Sequence, residues 1–145
     1  MIVLVYLLLL AFAGCTPQAL LGGGVPSQRT ENQGSLTNRL NTVTIVDNAL
    51  LGGPGKLDRV SVESSSSHRT PTGTLEVWAV LRNMTDYPMQ IEGRTQFFDR
   101  DQVPLAAPTS WTRVHLPANS TATYRGLSTH ADEVGYYTVE IREGR

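Results

Sequence analysis

The chain has 145 residues, with 12 Lys and Arg against 13 Asp and Glu, three His and a single Cys. Its formal charge of -1 comes from mixed signs with no basic stripe, which excludes the electrostatic footprint of a nucleic-acid binder and leaves no polybasic patch for anionic lipid. One Cys excludes an internal disulfide framework, and the roughly 130 residues that follow the N-terminal apolar segment correspond to one domain.

That segment, Ile2 to Ala13, is uncharged and about a dozen residues long, whereas a membrane-spanning helix needs about 20. It runs into Leu10-Ala11-Phe12-Ala13-Gly14-Cys15, so that two small residues precede the only thiol. The arrangement resembles a bacterial lipoprotein signal, in which the residue after the cut carries diacylglycerol. Phe12 stands where such boxes more often carry Leu, and no Lys or Arg precedes the apolar run. Residues 1–14 are thus expected to be a signal peptide and Cys15 the lipid attachment site. Acylation would also remove a free thiol that would be a liability in an oxidising compartment. Thr16, in place of the Asp that retains enteric-type lipoproteins at the inner membrane, implies the periplasmic face of the outer membrane.

Residues 15–41 follow as a lipidated tether. The stretch is rich in Gly, Ser, Thr, Asn and Gln, includes Gly22-Gly23-Gly24 and lacks aromatic residues, so it cannot bury enough apolar surface to order itself. A flexible chain of that length reaches roughly 25 to 31 Å. A first strand within Ala19 to Val25 is the weaker alternative.

From residue 42 to residue 145 the pattern is one of strands. Val43 and Ile45 alternate with Thr42, Thr44 and Val46, and a Gly- and Pro-rich break covers Asn48 to Gly55. Leu57 to Ser65 forms a second strand with Val60 and Val62 on one face, and the remaining serines with His68 to Gly73 form a hairpin loop. Thr74 to Asn83 has Leu75, Val77, Ala79 and Leu81 on one side and Glu76 and Arg82 on the other, with Trp78 and Val80 interrupting the polar side. That side is therefore covered or is a contact surface, and Trp78 is the candidate partner contact. In Met89 to Asp99, Met89, Ile91, Thr95 and Phe97 share a side. Asp99 to Gln102 reads as a turn, Trp111 to Leu116 as a strand, Pro117 to Asn119 as a turn, and Ser120 to Leu127 as another strand. After a loop over Ser128 to Gly135, with a helical turn at Ala131 to Val134, Tyr137, Val139 and Ile141 alternate along Tyr136 to Arg142. About seven short strands at this spacing predict an all-β sandwich.

No constellation in this pattern carries chemistry. His68, His115 and His130 fall on separate elements without a second ligand at metal-site spacing, so neither a metal nor a cofactor is expected. Ser128, His130 and Asp132 are too close together in one loop to reach triad geometry, and no nucleophile elbow is present. Asp99 and Asp101 read as turn caps, since the further oxygen ligands and glycine of a calcium loop are missing. Asn83-Met84-Thr85 and Asn119-Ser120-Thr121 match a glycosylation sequon by accident and read as loop residues. Trp78 and Trp111 read by default as core filling, with ligand-stacking platforms the alternative.

Leu75-Glu76-Val77 leading to Arg82-Asn83, then Thr95-Gln96-Phe97-Phe98-Asp99 before a turn, Trp111 with Leu116-Pro117, and Ala131 before the last strand together resemble the YcfL-like family of small periplasmic lipoproteins. Val46 to Leu50 fits that family's first strand and turn. Phe97 occupies a slot where Trp is usual, and Gln102 replaces the Gly that closes the Asp99 turn. The resemblance implies an immunoglobulin-like β-sandwich on a lipid tether and carries no enzymatic activity. The expected role is a non-enzymatic binding or structural module of the cell envelope, held at a membrane by its lipid and facing an envelope protein or peptidoglycan. An envelope hydrolase acting on carbohydrate or peptidoglycan, and a lipoprotein subunit of a secretion machine, are the alternatives. The hydrolase would require two of His68, His115, His130, Asp99, Asp101 and Glu133 to meet in a cleft.

Overall fold

The computed structural model describes residues 39–145. The signal over 1–14, the lipid site Cys15, nearly all of the tether and the alternative strand at Ala19 to Val25 lie outside them. Seven strands and no helical element follow in order: β1 (Thr42–Ile45), β2 (Val60–Arg69), β3 (Leu75–Asn83), β4 (Met89–Phe98), β5 (Thr112–Leu116), β6 (Thr121–Leu127) and β7 (Tyr136–Glu143). They form a four-stranded sheet in the order β1-β7-β4-β5 and a three-stranded sheet in the order β2-β3-β6, which is the predicted all-β sandwich. The pairings are antiparallel except for β1, which lies parallel to β7 with Thr42 opposite Thr138 and Ile45 opposite Ile141.

Strict alternation builds the core. Every second residue of β3, from Leu75 to Asn83, is buried, and Tyr137, Val139 and Ile141 of β7 meet them from the other sheet. Leu50 and Val134, from the connections before β2 and before β7, close the two ends of this core. Tyr124 on β6 spans the layers: its hydroxyl lies 2.9 Å from Thr95 Oγ1 on β4, both side chains being buried. Gly93 makes room for that ring, because a Cβ there would sit 2.4 Å from Tyr124 Cδ2.

Three expectations need correction. The serine run is not a loop: β2 continues to Arg69, with Ser64 to Arg69 paired along β3, and the hairpin closes over residues 70–74 around Gly73 at φ +81°. The polar composition of the run is overridden by a nine-residue neighbour, β3, that offers a backbone ladder. The expected helical turn at Ala131 to Val134 is a non-helical turn, in which Asp132 takes φ +60°. Asn83 is not a loop residue but the buried last residue of β3. Its Nδ2 donates to the carbonyls of Tyr87 (2.8 Å), Pro117 (3.0 Å) and Leu116 (3.3 Å), and its Oδ1 accepts from Thr85 N and Oγ1. The Asp99 turn forms as expected: Asp99 Oδ1 accepts from the amides of Asp101 and Val103, and Gln102 adopts φ +67° in the slot that favours Gly.

Candidate functional site: the outer face around Trp78

The outer face of the three-stranded sheet is set by register. Cross-strand partners share a face, so Trp78 is flanked by Ser66 on β2 and Arg125 on β6, and Val80 by Ser64 and Thr123. Arg82 stands between Ser61 and Thr121, and Glu76 between His68 and Leu127. Trp78 and Val80 are half-buried, while Ser64, Ser66, Thr121 and Thr123 are exposed.

A bulge creates this arrangement. Simple alternation along β2 would put Ser64, Ser66 and His68 on the face of Val60 and Val62. The register shift between Val62 and Ser64 reverses the parity and moves them to the outside. Glu63, the extra residue, reaches Arg82 Nε at 2.7 Å. At the other end of the face, Glu76 holds Arg125 Nη1 (3.4 Å) and His68 Nε2 (3.4 Å), and the His68 ring leans on the Trp78 indole at 5.2 Å and 58°. The charged groups are thus ion-paired, and the middle of the face is an indole and a Val flanked by hydroxyls and by Arg125.

Trp111 also departs from the expected core position. It precedes β5 with the parity of Arg113 and His115, and its ring lies between the guanidinium groups of Arg142 (4.0 Å) and Arg94 (4.5 Å) on the outer face of the four-stranded sheet. Below it Glu92, opposite Arg113 on one side and Arg142 on the other, accepts from both, at 3.1 Å and 2.8 Å. Those hydrogen bonds, Arg142's first and Arg113's second, hold the Glu92 carboxyl below the usual glutamate range despite its burial. Arg94 pairs with Glu140 at 2.7 Å, so this face is saturated by its own ion pairs.

Of the remaining candidates, Asp99, Asp101, Asp132 and Glu133 line one shallow depression that is wide open to solvent, and His130 stands beside Glu133. Ser128 is buried, and its Oγ donates to the His130 carbonyl (3.2 Å) and accepts from the His130 amide (3.0 Å), so it serves the loop backbone. Asp132 packs beside Gly73, where an added Cβ would meet its carboxylate at 2.6 Å. His130 Nδ1 lies 3.5 Å from Glu133 Oε2, and Glu133 is largely exposed. His115 is on β5 and His68 on β2, in different sheets. Among the described residues no three His, Cys, Asp or Glu side chains gather where they could hold a metal ion.

No protein-family model and no curated protein matches the chain. Among solved structures, the crystal structure of cj0090 from Campylobacter jejuni aligns with a TM-score of 0.49 at 18% identity, over 57% of this chain and 85% of that one. The crystal structure of a DUF1425 family member from Shewanella sp. pv-4 aligns with a TM-score of 0.53 at 15% identity, over 64% of this chain and 84% of that one. At that identity the Shewanella structure shares the fold with this chain.

Proposed function

We propose that this protein is a lipid-anchored, non-enzymatic binding module on the periplasmic face of the bacterial outer membrane, and that the outer face around Trp78 engages its envelope partner. The observation that carries the reading is Trp78 itself, an aromatic side chain held half-exposed beside Val80 in the middle of a sheet face whose remaining members, apart from Leu127 at the margin, are polar. The sequence around Cys15 supports the anchor, and the fold likeness to the Shewanella structure fits the family resemblance of the strand pattern.

Two measurements separate the parts of this reading. Mass spectrometry of the full-length chain expressed in a bacterial cell should find Cys15 as an acylated N-terminus, and Cys15→Ser should move the protein into the soluble fraction. An unmodified thiol on the intact chain rules the anchor out. The domain over residues 39–145, with Trp78→Ala beside the parent, should lose retention on washed envelopes while keeping a cooperative unfolding transition. Equal retention of the two rules out Trp78 as the contact.

A further inference from the structure

We infer that the ligand of the Trp78 face is an uncharged glycan chain lying along β3; the inference rests on the reading of that face as the docking surface. Three features favour this chemistry over a protein partner. The first is the pattern of groups. A pyranose presents C–H bonds on its faces and hydroxyls around its edge, and the sheet presents an indole and a Val down the centre with Ser64 and Ser66 on one side and Thr123 and Arg125 on the other. Neighbouring strands are about 4.8 Å apart, so these polar groups flank a ring stacked on Trp78 at its edges.

The second is charge. The face has no unpaired cluster of either sign at its centre: Glu76 takes up Arg125 and His68 at one end, and Glu63 takes up Arg82 at the other. A polyanionic or polycationic ligand gains nothing over a neutral one there. The third is area. A stable protein interface buries about 800 Å² on each partner around an apolar centre. This face offers two half-buried apolar side chains in its middle, with Leu127 at its margin. One ring stacked on the indole, with hydrogen bonds to the flanking side chains, matches an apolar surface of that extent.

The His68 ring adds a wall. It leans against Trp78 and is held by Glu76. A ring stacked on the indole is therefore bounded towards the 70–74 hairpin and open towards Val80 and Arg82, which sets the direction in which the chain continues along β3.

The test uses the full-length chain carrying Cys15→Ser, with chitohexaose and cellohexaose as neutral probes and polygalacturonate as the anionic control, read by tryptophan fluorescence and by calorimetry. Binding of a neutral hexasaccharide is expected, weaker by roughly tenfold or more in Trp78→Ala and in Thr123→Arg, and unchanged in Trp111→Phe. Thr123→Arg places a long side chain over the face at an exposed position, so it reports even where Trp78→Ala perturbs folding. Absence of neutral-glycan binding, tighter binding of polygalacturonate, or binding indifferent to both face variants overturns the inference. Loss of envelope retention in Trp78→Ala without glycan binding would refute the ligand class alone and leave the docking face standing.

Discussion

Tyr124 and Thr95 show how a single pair of side chains ties two layers together. Their hydroxyls meet 2.9 Å apart in the core, where neither has water to turn to. Tyr124→Phe leaves Thr95 Oγ1 buried without that partner and should cost about 1 to 3 kcal/mol in urea unfolding. The double variant Tyr124→Phe with Thr95→Val removes both polar groups and should recover part of that loss; a double variant weaker than the sum of the singles would contradict the assignment. Gly93→Ala tests the same contact from the backbone side. The added methyl meets the ring at 2.4 Å, and the overpacking should cost about 1 to 3 kcal/mol. The alternation of β4 makes Thr95 legible from the sequence as an inward residue. Its partner is not legible, because the pairing depends on how the two sheets superpose.

At the scale of elements, the outer face of the four-stranded sheet is ordered by charge. Glu92 is the hub between β5 and β7, and its depressed carboxyl has a consequence for acid stability. A carboxyl that titrates lower in the folded state than in the unfolded chain stabilises the fold above the unfolded value, about pH 4.3. That contribution disappears as pH falls through the folded value. The parent should therefore exceed Glu92→Gln in stability near neutral pH, and the gap should shrink below about pH 4; denaturant melts at several pH values measure it, and a gap independent of pH would show that Glu92 acts through packing. Trp111 lies over this cluster, and Trp111→Ala should loosen β5 through loss of its stacking with Arg94 and Arg142, with accelerated amide exchange at Thr112 to Leu116 as the readout. The sequence held a signal for this position: Trp111, Arg113 and His115 share one parity, and Val114 and Leu116 the other. Taking Trp111 as core filling gave residue type more weight than alternation. The serine run misleads for the same reason, since its composition suggests a loop while the neighbouring β3 supplies the ladder that makes it a strand.

For the molecule as a whole, the sequence already determined that the chain is all-β, where most strands begin and end, and which side of β3, β4 and β7 faces inward. Period-two alternation is a local property, and apolar residues recurring at every second position leave one face to bury. The apolar run ending at Cys15 is equally local, which is why the proposal of an anchor there rests on the sequence alone. The tertiary structure alone decided what stands beside what. A one-residue bulge between Val62 and Ser64 turned Ser64, Ser66 and His68 outward, and the β2-β3-β6 order set them, with Arg125 and Thr123, around Trp78. Partners in these sheets range from near neighbours in the chain, such as Arg69 and Leu75, to residues at opposite ends of the domain, such as Thr42 and Thr138. Their pairing is fixed by register and by the superposition of two layers, quantities that no stretch of the sequence encodes by itself.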